Sequence, residues 1–186
     1  MTSRLIAAIA VVMAFAAATA YAAVTTIPPS EYPHGCHPNG NALQGGAESN
    51  LITGTPQRDL ERGGRGGDTL TGHKEPDCLF GEKGEDLLDG GGGRDRLHGG
   101  DGQDVILAGS SPDLVQGGRG HDILQGYGPR DSMYGGPGPD DIAAGRGDDR
   151  IVDTKGHNNI NCGKGIDTVV TNEKSHVEKC EHVIRR

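Results

Sequence analysis

The chain has 186 residues, of which 33 are Gly and 10 are Pro, while Leu, Ile, Val and Phe together number only 35. That is too few large apolar residues for an ordinary globular core, and the Gly and Pro content lies beside that of disordered chains. The net charge of −8 disfavours binding to nucleic-acid phosphates and suits cations.

Residues 1–22, MTSRLIAAIAVVMAFAAATAYA, begin with a positive charge at Arg4, continue in an apolar run over 5–18 and end in small residues at Ala20 and Ala22. This pattern predicts a Sec-type signal peptide and a secreted, extracellular mature protein. The run is too short to span a bilayer comfortably, and no later apolar stretch is longer, so no membrane span is expected after cleavage. Residues 23–44 contain Pro28, Pro29, Pro33 and Pro38 and read as a Pro-rich cap or linker. Cys36, Cys78, Cys162 and Cys180 make an even set, which in an exported chain favours disulfides.

From residue 45 the sequence becomes periodic. Asp59, Asp68, Asp77, Asp86, Asp95, Asp104, Asp113, Asp122, Asp131, Asp140 and Asp149 follow one another at intervals of nine, and the ladder extends to Asn50, Asn158 and Asp167. Two residues after each rung the side chain is apolar in 13 of 14 cases, from Ile52 and Leu70 to Ile160 and Val169. Glu61 is the exception and, following Leu60, suggests a slipped or frayed repeat. Glycine recurs five, four and two positions before the rung, and the hexads ending at Asp68, Asp95, Asp104, Asp122 and Asp140 are complete. Such glycines permit a turn with several positive φ angles whose carbonyls converge, and the rung adds a carboxylate. A hard cation with six to eight oxygen ligands suits that donor set. The three residues after each turn predict a short strand whose middle side chain faces inward.

The segments GGRGGDTLT, GGGGRDRLH, GGDGQDVIL, GGRGHDILQ and GGPGPDDIA resemble the RTX (haemolysin-type) calcium-binding nonapeptide, G-G-x-G-x-D-x-U-x, over residues 45–171. The resemblance implies an all-β fold, a right-handed parallel β-roll (β-solenoid) of about 14 nonapeptide repeats with short terminal caps, and a bacterial source. Two repeats would make one coil, giving about 6.7 coils between residues 50 and 170 and a rod of roughly 32 Å. It also implies Ca²⁺ held between turns stacked one coil apart, so the sites fall into two files of alternate rungs. The first file runs Asn50, Asp68, Asp86, Asp104, Asp122, Asp140, Asn158, and its five successive aspartates predict four sites. The second file contains the eroded turns GTPQRD, GHKEPD, AGSSPD and GYGPRD. Only Asp95, with a complete turn, and the stacked pair Asp149 and Asp167 are expected to bind there, giving one or two sites and a one-sided column. A metal-free Gly-rich solenoid is the alternative, since Asp favours turns by itself. With so few inward apolar residues, folding is expected to be coupled to calcium binding.

Beyond the ladder, residues 172–186 read as a polar C-terminal cap, with His176 in the Asp phase and Glu178 in the apolar phase. Cys180 lies 18 residues, or one coil, after Cys162, so these two are expected to pair. Cys36 and Cys78 then pair by elimination, which requires the N-terminal segment to fold back over the first coils. His34-Gly35-Cys36-His37 lacks a second half that would complete a transition-metal site.

No enzyme is expected: neither HExxH nor GxSxG occurs, and some 25 residues before the repeats are too few for a catalytic domain. An ice-binding or adhesive solenoid is a further alternative. The outward series Thr69, Cys78, Leu87, Arg96, Val105, Leu114 is not the flat Thr or Asn ladder that ice binding requires. The expected N-terminal signal departs from the uncleaved C-terminal export signal of many RTX proteins, which puts the association with toxins and their exporters in doubt and leaves the calcium chemistry untouched. The expected partners are calcium ions, with no nucleic acid, and the expected state is a monomer.

Overall fold

The computed structural model describes residues 25–28, 33 and 35–186. The expected signal peptide lies outside the described residues. No described helix is long and apolar enough to cross a membrane.

Each nonapeptide folds as a turn followed by a short strand, and successive strands alternate between two sheets. One sheet has ten strands and the other eight, and within each the strands are two repeats apart in sequence. All pair in parallel except Thr25–Thr26, which runs antiparallel to Ala42–Gln44. The half-coil through the opposite sheet supplies the crossover that a parallel pair requires. The result is an all-β, parallel β-solenoid of about 8 turns.

The register places equivalent residues on top of one another. Val115 pairs with Leu97 on one side and Met133 on the other, and in the second sheet Leu124 lies between Ile106 and Ile142. These side chains meet between the sheets in a single cluster running from Ile52 to Val169. One apolar residue in nine therefore suffices, because the two sheets are close enough for single side chains to fill the gap.

The solenoid extends beyond the nonapeptide ladder at both ends, which is why it has more turns than the period predicts. At the N-terminal end, Ala42–Gln44 pairs in parallel with Leu60–Arg65 and aligns Leu43 with Glu61. Glu61 is thus neither slipped nor frayed: it lies in register between Leu43 and Leu79 and is fully buried. At the C-terminal end, the segment read as a cap carries two more strands, His176–Glu178 and His182–Arg185. His176 pairs with Asn159, one residue out of the expected phase, so Val177 rather than Glu178 lies opposite Ile160. A slip of one residue exchanges the faces of a strand, and here it places an apolar side chain toward the core and Glu178 outside. The final strand leaves Val183 and Ile184 exposed.

Both disulfides follow the expected pairing. Cys162–Cys180 joins adjacent coils with a Cα–Cα distance of 5.2 Å, and Cys36–Cys78 spans 5.9 Å. The second ties the N-terminal segment across the outer face of the first coils, where Ile27, Cys36, Ala42, Leu60 and Cys78 form a small cluster of their own. Because Cys36 is oxidised, it offers no thiolate to a transition metal.

Candidate metal centre

The rungs occupy the two edges where the sheets meet. Asp68, Asp86, Asp104, Asp122 and Asp140 line one edge, Asp95, Asp149 and Asp167 the other, and none is more than 2% exposed. Each uses its two carboxylate oxygens differently. Oδ1 accepts the backbone N–H of the rung one coil earlier: Asp68 donates to Asp86 at 2.7 Å, Asp86 to Asp104 at 2.9 Å and Asp104 to Asp122 at 3.0 Å. The other edge repeats this, with Asp77 donating to Asp95 and Asp149 to Asp167, both at 2.8 Å. This bond explains why Asn serves at Asn158, whose Oδ1 accepts the N–H of Asp140 at 3.0 Å. Oδ2 of all eight aspartates is buried without a hydrogen-bond partner.

Along the first file, from Gly63 to Gly135, the first residue of the turn is a glycine that makes room for that oxygen, whereas Ala108, Ala144 and Cys162 hold this position in the Asp113, Asp149 and Asp167 turns. A Cβ built on Gly81 would overlap Oδ2 of Asp86 and lie 2.6 Å from the carbonyl oxygen of Gly99 in the next coil. Oxygens of two successive coils therefore flank one point above the glycine. The glycine two before the rung is demanded by backbone stacking instead. Gly120 has φ 146°, and any side chain there would overlap the carbonyl of Gly102 directly beneath.

This second glycine separates the two edges. Along the first file Gly66, Gly84, Gly102, Gly120, Gly138 and Gly156 all hold a positive φ at that position. Along the second file only Gly93, Gly147 and Gly165 do so, whereas Gln57, Glu75, Ser111 and Pro129 do not. The carboxylates do not mark the difference. Asp77, Asp113 and Asp131, left out of the expected ligand set because their turns are eroded, have the same Oδ1 bond and the same unpartnered Oδ2. Asp59 differs: Asn41 donates its N–H to Oδ1, and Thr55 donates its N–H to Oδ2 at 2.5 Å.

Electrostatically, the files are rows of buried carboxylates. Burial, the largest cause, pushes Asp104 up to about 8, against the pull of the Asp86 N–H, and the Asp86 and Asp122 carboxylates raise it further. Asp95 reaches about 8, Asp86 and Asp149 about 7, and Asp68 and Asp122 about 6, in each case chiefly through burial. Asp140 and Asp167 are raised for the same reason. Among the described residues no group of three His, Cys, Asp or Glu side chains converges as a metal cluster. Backbone carbonyls must then supply most of the oxygens around any ion, with one carboxylate per turn. Buried oxygens without donors, paired with carbonyls across adjacent coils, fit a hard divalent cation of calcium's type.

Three residues that the nonapeptide pattern does not mark belong to these edges. Glu61 stands in the apolar phase, yet both its oxygens are buried; burial, then Asp59 and Asp77, push it up to about 9, against the pull of the Thr71 N–H. Asp153 replaces the first glycine of the Asn158 turn and is 1% exposed; burial, then the Asp140 carboxylate, push it up to about 8 against the pull of the Lys155 and Gly136 N–H groups. Glu181 accepts the N–H of Asp167 at 2.9 Å and so takes the place of the missing next rung. Glu61 and Asp153 were visible in the sequence as acids in positions that otherwise hold an apolar residue and a glycine. Glu181 became visible only in the register of the last coil.

The family model of the RTX calcium-binding nonapeptide repeat matches six overlapping segments, 39–70, 62–97, 71–106, 98–133, 107–142 and 134–169. No curated protein and no solved structure matched the chain. With matches covering residues 39–169 and a parallel solenoid built on the same period, the chain belongs to the family of RTX calcium-binding nonapeptide repeat proteins.

Proposed function

We propose that the chain is a secreted, calcium-binding right-handed β-roll of about 14 nonapeptide repeats, with a structural or surface role and no catalytic activity. Calcium is held between stacked turns, and folding is coupled to its binding. Residues 1–22 act as the signal for export.

The observation that carries this reading is the file of buried, unpartnered Oδ2 atoms aligned along each edge. An unpaired buried carboxylate is costly, and a repeat that places one in every turn needs a cation to offset the cost. Asp68, Asp86, Asp104, Asp122 and Asp140 hold four ions along the first edge. Asp95, Asp149 and Asp167 hold one or two along the second, where the turns keep the glycine two before the rung. Where the second glycine and its positive φ are lost we assign no ion, and Asp113 acts through its Oδ1 bond alone.

Calorimetric titration of the mature chain with calcium tests the assignment. Asp104→Ala is expected to abolish calcium binding at the centre of the first file, and Asp113→Ala to leave the ion count unchanged. Two equally populated files of sites, or no calcium uptake, would contradict the reading.

A further inference from the structure

We propose that Asp153 and Asp140 form an additional calcium site at the C-terminal end of the first file, one that the nonapeptide pattern does not encode. The proposal rests on the calcium reading of that file.

The first position of each turn on this edge is glycine from Gly63 to Gly135, and one coil later it is Asp153. At Gly99 the point above the glycine is flanked by Oδ2 of Asp104 and by the carbonyl of Gly117 in the next coil. At Gly135 the arrangement changes. A Cβ there would overlap Oδ2 of Asp153 and lie 2.5 Å from Oδ2 of Asp140. A carboxylate has taken the place of the carbonyl, so two anionic oxygens face one small space. The Lys155 and Gly136 N–H groups and the Asp140 carboxyl approach the Asp153 carboxylate without well-formed hydrogen-bond geometry, Oδ2 of Asp140 has no donor on it, and both residues are 1% exposed.

The next rung explains why an extra acid is useful here. Asn158 keeps the structural bond through Oδ1, but its second terminal atom is an amide nitrogen, which points toward the Asp153 carbonyl at 3.5 Å. An amide nitrogen cannot ligate calcium, and Asn158 itself carries no charge. Asp153 restores to this coil the anionic oxygen that Asn158 lacks. One coil further, Thr171 pairs in register with Asp153, and its buried hydroxyl also lacks a partner. Two facing carboxylates with an uncharged oxygen in the adjacent rung are a donor set for a hard divalent ion.

The test counts ions. The full mature chain, Asp153→Gly and Asp153→Asn would be titrated with calcium by calorimetry, with bound ions counted by native mass spectrometry. Asp153→Gly restores the glycine of the column, and Asp153→Asn keeps the shape while removing the charge. Each variant is expected to bind one calcium fewer than the parent chain, with the other sites unchanged and the same far-UV circular dichroism at saturating calcium. An unchanged ion count and unchanged affinities in both variants would overturn the proposal and leave the two acids sharing a proton. Absence of calcium binding in the parent chain would instead overturn the calcium reading of the whole file, and this site with it.

Discussion

At every aspartate rung except Asp59 the two oxygens are used differently. Oδ1 holds the backbone of the previous coil, as in the bond from the Asp122 N–H to Asp140 at 3.0 Å, and Oδ2, left without a donor, is the oxygen we propose for a cation. The first task needs only an oxygen, so asparagine at position 158 performs it; the second needs a charge. Glu61 is the clearest exception to this division. Its carboxylate occupies the inward position between Leu43 and Leu79, where every other repeat of the ladder places an apolar side chain. Burial keeps this carboxyl protonated near neutral pH, and a buried, poorly satisfied polar group costs about 1–3 kcal/mol that an apolar residue of similar size would not. Glu61→Leu is therefore expected to raise the urea midpoint of the calcium-loaded protein, and a lowered midpoint would show that the glutamate is itself held by a favourable partner. The period of nine made the rungs and the inward ladder legible in the sequence, because Gly, Asp and apolar residues each keep one phase. The burial of the Glu61 and Asp153 carboxyls was not legible, because each breaks the local pattern and only the register of neighbouring coils fixes its surroundings.

At the scale of the strand and its turn, coils stack so that like elements repeat their chemistry along an edge. A file of carboxylates is a consequence, and so is its response to pH. In the metal-free chain, burial and neighbouring carboxylates raise Asp68 and Asp122 to about 6, Asp86 to about 7 and Asp104 to about 8, from 3.8. Groups raised in this way bind protons more tightly folded than unfolded. Their contribution to stability is complete below about 4 and is lost as pH rises through 6 to 8. Calcium requires the ionised form, so its binding displaces protons across the same window. Calcium affinity is expected to rise at least tenfold between pH 6 and pH 8, with proton release detectable by calorimetry in buffers of different ionisation enthalpy. A flat affinity without proton release would place the ions away from these carboxylates. The one-residue shift at His176–Glu178 belongs to this scale too. Counting in nines carried Glu178 inward; the cost of burying a charge, set against an available Val177, decided otherwise.

Across the whole molecule, about 8 turns stand on a narrow apolar ladder, and the two disulfides secure the ends. Cys162–Cys180 ties the last full repeat to the coil beyond it, and Cys36–Cys78 holds the N-terminal segment over the first coils. Closing an 18-residue loop is worth about 3 kcal/mol, largely by restricting the unfolded chain. Pairing along the coil was legible from the spacing of Cys162 and Cys180. The extra turns at the ends were not, because Ala42–Gln44 and His182–Arg185 join the sheets without the turn sequence that marks the others. Between those ends the fold rests on a core one side chain deep and on two edges of buried acids, and the proposed coupling would make the composition that resembles disorder a description of the chain before cations bind. Far-UV circular dichroism of the mature chain, recorded in calcium and then in excess chelator, tests this most directly. Loss of the strand signal in chelator and its return on adding calcium is the predicted result. A strand signal unchanged by chelator would contradict the coupling of fold to metal.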